Sequence, residues 1–324
     1  MKIATKAPAK VNLALEVLGR RQDGYHEIVT VLQMISLADE IAVSTLGDST
    51  VPRPAVRAIS PSERPRLAPG HPGPRSVFPV VGVTGEGLEI PASENLVVRA
   101  AALLQAHTDV ELPLVAIDLC KRIPVAGGLG GGSSDGAAVL RALNALWSLG
   151  LSRSTLVFLA GQLGSDVPFF IQGGTALATG RGELLTPLPS PPKLWLVILT
   201  PPYRVSEKTK LAYARLNASH YSSGERARQI AASLSIGQMP HEDDLFNSFE
   251  SIADSLFPGI GNWRKRVEGA LGKPTHLAGA GPSIFALFAK KAEADEAARR
   301  VASADAAVFV AHFLDRPASL RAAP

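Results

Sequence analysis

Between Pro124 and Leu140 the chain reads PVAGGLGGGSSDGAAVL, a run with six glycines, two serines and an aspartate. Glycine lets a backbone approach a charged group closely and take up positive φ where a turn needs it. Before the run, LPLVAIDLC reads as a strand. After it, Ala137, Ala138, Leu140, Leu143, Leu146 and Trp147 recur at helical spacing. Strand, glycine loop, helix is an order that points unpaired N–H groups and the positive end of a helix dipole at an anion. Ser133, Ser134 and Asp135 stand where cap oxygens belong, and the two hydroxyls are within reach of a phosphate-bound metal. The run fits neither GxxxxGK(S/T) nor GxGxxG, so the common P-loop and the dinucleotide fingerprint are both set aside. Spacing favours a phosphate cradle over a structural loop.

Two other stretches carry chemistry-bearing side chains. Ser165-Asp166-Val167-Pro168 follows a helical segment, SRSTLVFLAGQLG, that stops at Gly164 as a C-cap glycine would. Asp166 therefore sits on a short, fixed connection, where residue type alone favours an N-cap. The segment GRRQDGYHEI is a hairpin-like turn tightened at Gly24, and on residue type alone Tyr25 and His26 are turn decoration.

The elements that must hold these residues are legible at low resolution. Ile3 to Leu18 has strand character, and VTVLQMISLADEIAVS reads as a further strand pair. Residues 48–76 contain seven prolines, which remove backbone donors and exclude a regular ladder, so a mobile loop is expected. Structure resumes at VFPVVGVTG. Ser93 reads as the cap of a helix, ENLVVRAAALLQAH, with Leu96, Ala100, Leu103 and Leu104 on one face. FFIQGGTALATGRGE reads as a glycine-turned hairpin. The C-terminal half has an α/β look: LWLVILTPP is a buried strand, and VSEKTKLAYARL, SGERARQIAASLSI and DDLFNSFESIADSL are helical. THLAGAGPSIFALFAKK then reads as strand, glycine turn, strand, and AEADEAARRVAS and AAVFVAHFL as a last helix and strand.

Composition excludes several classes. The chain of 324 residues has 46% hydrophobic and 19% charged residues, ordinary for a soluble protein with room for one large or two medium domains. No apolar run is long enough for a signal peptide or a membrane span, so a cytoplasmic protein is expected. One cysteine, Cys120, excludes an intrachain disulfide and a zinc cluster, and the seven histidines lack metal-ligand spacing. The net charge is +4, but Lys and Arg are dispersed, so a nucleic-acid partner is not expected.

Three segments in this order, APAKVNLAL, PVAGGLGGGSSDGAA and LAGAGPSIFALF, resemble the GHMP kinase superfamily. RRQDGYHEIVTVLQMISLADEI, SENLVVRAA, KRIPVAGGLGGGSSD and GSDVPFFIQGGTALATGRGE bring the resemblance closer to its 4-diphosphocytidyl-2-C-methyl-D-erythritol kinase branch. The resemblance implies an α+β, two-domain fold. Its N-terminal ribosomal-protein-S5-like β/α domain covers residues 1–188, with 48–76 as a long loop insertion. Its C-terminal ferredoxin-like α/β domain covers 189–324, and the site lies between the two. It implies phosphorylation by ATP of the 2-hydroxyl of 4-diphosphocytidyl-2-C-methyl-D-erythritol, a step of the non-mevalonate isoprenoid route. Lys10 and Asp166 match the family's catalytic positions. Asn95, Lys121, Pro124, Gly127, Gly128, Leu129, Gly130, Gly131, Gly132, Ser133 and Ser134 match its ATP-binding positions. Ser134 would be the protein ligand of Mg2+. Asn12, Tyr25 and His26 match positions that hold the cytidine and sugar-alcohol portions, and Tyr213 aligns with a second aromatic on the base. A monomer or weak homodimer is expected. The alternatives are another GHMP kinase, acting on mevalonate, homoserine or a sugar, and an inactive nucleotide-binding relative.

Overall fold

The computed structural model describes residues 1–46, 80–84, 95–108, 112–302, 305–317 and 320–322. The proline-rich stretch 48–76 and Ser93 lie outside them. In chain order the strands are β1 (Lys2–Arg20), β2 (His26–Thr45), β3 (Val80–Thr84), β4 (Val115–Cys120), β5 (Thr175–Thr179), β6 (Leu184–Leu188), β7 (Trp195–Thr200), β8 (Phe246–Asn247), β9 (His276–Leu277), β10 (Ile284–Phe288), β11 (Ala307–His312) and β12 (Arg321–Ala322). The helices are α1 (Leu96–Ala106), α2 (Gly131–Leu146), α3 (Arg153–Leu163), α4 (Val167–Gln172), α5 (Lys208–Arg215), α6 (Glu225–Ser235), α7 (Ala253–Leu256), α8 (Ile260–Leu271) and α9 (Lys291–Arg300).

β1 and β2 form one long antiparallel hairpin, closed by a turn in which Gly24 takes φ +86. The stretch VTVLQMISLADEIAVS is thus a single strand and not a pair. Residues Ala7–Val17 of β1 are all buried, because elements cover both faces of the sheet there. Register shifts fall between Pro8 and Lys10 and between Asn12 and Ala14, and such bulges re-aim side chains.

The larger sheet runs β12-β1-β2-β4-β3, with β5 and β6 continuing from β2 and β8 pairing with β1. The smaller runs β11-β7-β10-β9. Helices α1 to α4 cover the larger sheet through a core that includes Val97, Leu104, Leu140, Leu143, Leu159 and Phe169. A second core lies among α5, α7, α8, α9 and the smaller sheet. A third joins the two sheets: Val11, Leu13 and Val31 meet Leu196, Ile198 and Phe285. This apolar seam packs the two sheets together.

Four local readings change. α1 opens at Asn95, whose Oδ1 accepts from Val97 N at 3.0 Å. FFIQ is helical, part of α4, with Pro168 in the first turn where its missing N–H costs nothing. DDLFNSFESIADSL breaks into two 3-10 turns, β8 and the four-residue α7. The Asn247 side chain accepts from Phe249 N and donates to Leu277 O and Gly279 O, so it competes with helix continuation. α8 is an addition, an amphipathic helix that buries Trp263, Val267 and Leu271 between Gly259 and Gly272. No helix among the described residues is long and apolar enough to cross a membrane.

Candidate active site

The glycine run wraps the N-terminus of α2. Gly130 is the N-cap in the left-handed region, φ 73 and ψ 16, with no side-chain cap. Ser133 and Ser134 lie inside the first turn and Asp135 just beyond it, none of them at the cap, and Ser134 N donates to Gly130 O at 2.9 Å. The first-turn N–H groups are thus left facing outward with the dipole behind them. The loop is held from both sides: Lys10 N donates to Leu129 O at 2.9 Å, and Ser283 N donates to Gly127 O at 3.2 Å. Gly128, at φ +87, comes so close to the LAGAGPS turn that a Cβ there would stand 2.0 Å from Ala278 O. A Cβ on Gly130 would stand 2.8 Å from the Phe170 ring. Glycine is a steric requirement at both positions. Leu129 gives only its backbone, since its side chain is buried in the seam.

Lys10 projects from β1 beneath this loop. Its Nζ donates to Asn12 Oδ1 at 2.8 Å, Asn12 Nδ2 donates to Thr30 Oγ1 at 2.8 Å, and Thr30 donates on to Ala14 O at 2.6 Å. This chain fixes the ammonium 3.8 Å from Asp166 Oδ2. Burial pushes the Lys10 pKa down and the Asp166 charge opposes it. Asp166 occupies the N-cap position of α4, yet its side chain makes no cap hydrogen bond and is about 40% exposed. Its carboxylate faces the cleft beside Lys10. The buried Asn12 has both ends of its amide engaged, so it positions Lys10.

Lys121 reaches the same cleft from the segment before the loop. It is almost buried and bridges two carboxylates, donating to Asp135 Oδ2 at 2.7 Å and to Asp39 Oδ2. Asp39, wholly buried on β2, also accepts from Arg122 N at 2.5 Å and Ile123 N at 2.8 Å. The triad ties β2 and the segment before the loop to the N-terminal part of α2. Burial opposes the Lys121 charge, but Asp135 and Asp39 together outweigh it and raise its pKa. Burial pushes Asp135 up to about 7; Lys121 works against this and Asp39 with it. Asp39 carried no signal beyond being an aspartate in an apolar strand.

At the other end of the cleft, aromatic rings gather. His26 stacks on Tyr213 with centroids 4.9 Å apart and planes at 26°, and Phe249 meets Tyr213 edge-on at 5.0 Å. Burial, then the Arg20 charge, lowers the His26 pKa, so the ring is biased to its neutral form. Burial, then Asp166, raises that of Tyr213. Tyr25 lies at the hairpin tip, 54% exposed, with the Arg181 guanidinium 4.6 Å above its ring. Tyr221 Oη lies 3.5 Å from His26 Nε2. Arg181 and Tyr221 escaped the sequence reading.

Lys10, Asp166, residues 127–133, Lys121 and the aromatic rings line one cleft of about 1390 Å3, larger than the roughly 300–1,000 Å3 of ordinary ligand pockets and suited to two substrates at once. Of the residues singled out from the sequence, Ser134 alone is absent from its lining: it is buried, and its Oγ has no hydrogen-bond partner. Among the described residues no three His, Cys, Asp or Glu side chains cluster to hold a metal.

The profile of the GHMP kinases N terminal domain matches residues 95–174, and that of the GHMP kinases C terminal matches 228–307. A 4-diphosphocytidyl-2-C-methyl-D-erythritol kinase of Dehalococcoides mccartyi is 38% identical over 291 residues, 90% of each chain. One from Pelotomaculum thermopropionicum is 38% identical over 314 residues, 96% of this chain and 97% of its own. A crystal structure of 4-(cytidine 5'-diphospho)-2C-methyl-D-erythritol kinase superposes with a TM-score of 0.71 at 32% identity, covering 96% of this chain and 98% of that one. The glycine loop, the α+β two-domain fold and these relatives agree: the chain belongs to the GHMP kinase family, in its 4-diphosphocytidyl-2-C-methyl-D-erythritol kinase branch.

Proposed function

We propose that the chain transfers the γ-phosphoryl group of ATP to the 2-hydroxyl of 4-diphosphocytidyl-2-C-methyl-D-erythritol, giving the 2-phosphate and ADP. The observation that carries the mechanism is the Lys10 ammonium 3.8 Å from an uncapped, cleft-facing Asp166 carboxylate beside the N-terminus of α2. Phosphoryl transfer asks a protein mainly for positioning and charge stabilisation. Residues 127–133 offer backbone N–H groups and a helix dipole to the phosphates. Asn95 and Pro124 border the adenosine end, and Lys121 acts there through the buried triad that holds the loop. Asp166 accepts the proton of the 2-hydroxyl as its oxygen bonds to the γ-phosphorus and the bond to the β-phosphate oxygen breaks. Lys10 holds the Asp166 carboxylate through their ion pair and offsets charge on the transferring group.

Mg2+ would be bound together with the nucleotide in this reading. It takes one or two protein oxygens and otherwise phosphate and water, which fits a site without an acidic cluster and with one orphaned hydroxyl, Ser134 Oγ. When bound it would neutralise charge on the β- and γ-phosphates.

The cytosine stacks on Tyr25, with Tyr213 as the second aromatic and the His26 ring hydrogen-bonding the base edge. The proposed division into domains at 188/189 falls in the interval between the two matches, 95–174 and 228–307, although β8 and β12, both from the C-terminal part, pair within the larger sheet. Product analysis tests the proposal. Incubation with ATP and the diphosphocytidyl substrate should give a phosphomonoester whose 31P–13C coupling falls on C2 and its neighbours; phosphate on any other hydroxyl would refute the chemistry.

A further inference from the structure

Lys208 has no role in the mechanism so far, yet it is one of the most deeply placed charges in the molecule. It opens α5 and is 7% exposed. Its Nζ donates to Ala126 O at 2.6 Å and to Gly281 O. The first carbonyl belongs to the glycine loop and the second to the facing LAGAGPS turn, so one ammonium spans the junction where Gly128 meets Ala278. The backbone on both sides of this contact is unusual. Ala126 has φ 58 and Glu207, just before Lys208, has φ 47, conformations that L residues adopt only when surroundings hold them.

We infer that Lys208 is a second cationic residue of the phosphate site, holding the glycine loop against the facing turn through its two carbonyl bonds and presenting its charge to the nucleotide's polyphosphate. Three observations carry this. Lys208 lines the same cleft as residues 127–133. Among the described residues no carboxylate lies within ion-pair distance of it, so its counter-charge must come from elsewhere, and a buried ammonium on neutral carbonyls alone is costly. Lys10 is near enough to repel it, so two ammonium groups converge on the floor where the resemblance puts the β- and γ-phosphates. Burial, with Lys10 adding to it, pushes Lys208 down to about 7; a polyphosphate would restore its charge and would bind more tightly for doing so. A bolt needed only for stability has no reason to face the ligand, and an apolar contact would serve it more cheaply.

The inference rests on the ATP reading of the cleft, and the experiment separates the two. Adenosine, ADP and a non-hydrolysable ATP analogue are titrated calorimetrically into the parent, Lys208→Met, Lys208→Gln and Lys208→Arg proteins, with thermal melts alongside. Losing one charge-assisted contact should weaken ADP and the analogue roughly ten- to a hundredfold in the Met and Gln variants. Adenosine should bind within about twofold of the parent, an apolar-end contact being untouched. Arg keeps the cation and should restore most of the loss. The Gln variant retains donors for both carbonyls, so it gives the same comparison where the Met variant melts early. Equal weakening of adenosine and ADP, or unchanged ADP affinity, would overturn the phosphate role and leave Lys208 a bolt between loops. A parent protein that binds neither adenosine nor ADP would overturn the ATP reading itself.

Discussion

Replacing Asp166 by Asn keeps the volume and removes charge and basicity, and the structure lets each consequence be sized. The side chain makes no cap hydrogen bond to α4, so the roughly 0.5–2 kcal/mol that a working cap contributes is not at stake. The ion pair to Lys10 spans 3.8 Å. At an effective dielectric of about 20 that separation corresponds to roughly 4 kcal/mol, but the carboxylate is about 40% exposed, and exposed pairs contribute roughly 0–1 kcal/mol after screening. Stability should therefore change by less than about 1 kcal/mol, a shift of a few degrees at most in a chain of this size. Lys10, already lowered by burial, loses the one charge that raises it and should fall further. The kinetic effect is larger: loss of a general base costs about 10²- to 10⁴-fold, or roughly 3–5 kcal/mol of barrier at 1.36 kcal/mol per decade. A coupled ADP-release assay at saturating substrates should show kcat down at least a hundredfold, with the nucleotide Kd within about threefold and the melting curve nearly superimposable. If kcat in the Asn variant stays within a few-fold of the parent, Asp166 is not the base. If kcat falls only in step with a large loss of stability, Asp166 is a structural residue of the α4 N-terminus and not the base.

Tyr25→Ala should raise KM for the diphosphocytidyl substrate roughly ten- to a hundredfold, since a base–aromatic stack contributes about 1–3 kcal/mol, and leave KM for ATP unchanged; steady-state kinetics in both substrates decides, and an unchanged KM would return Tyr25 to the turn. Gly128→Ala places a Cβ 2.0 Å from Ala278 O at φ +87, so the loop must move; kcat/KM for ATP should drop at least about tenfold, and a parent-like value would remove the loop from the phosphate site. The Asp135 carboxyl, held up at about 7 in the folded protein against about 3.9 unfolded, binds its proton more tightly when folded. Its contribution to stability is present at low pH and is lost as pH rises through 7. Urea midpoints from pH 5 to 8 should fall more steeply in the parent than in Asp135→Asn, and equal slopes would refute the assignment.

The chemistry-bearing segments were legible because their signals are local. The glycine run announced itself by residue type, and the helix behind it by apolar periodicity from Ala137 to Trp147. Gly24 and Gly164 marked a hairpin and a helix stop that the fold contains. What stayed hidden depends on contacts distant in sequence. Nothing near Asp39 says that Lys121, 82 positions away, will sit on it. Arg181 reaches Tyr25 only because the turn between β5 and β6 folds over the hairpin tip. The DDLFNSFESIADSL segment has helix-compatible residues, but Asn247 bonds carbonyls about thirty positions on, and tertiary contacts override the local pattern. Asp166 shows the same limit from the other side. Residue type suggested a cap, and only the described geometry shows a carboxylate that does no capping.

The central claim is that this cleft phosphorylates the diphosphocytidyl sugar alcohol and not a smaller alcohol. The measurement that tests it most directly is ADP release by the purified full chain with ATP and Mg2+, run side by side on 4-diphosphocytidyl-2-C-methyl-D-erythritol, mevalonate and homoserine. The account predicts saturable turnover with the first and, because only that substrate carries a base for the Tyr25, His26 and Tyr213 wall, kcat/KM lower by several decades for the other two. Turnover of mevalonate or homoserine by folded protein that ignores the diphosphocytidyl substrate would contradict it.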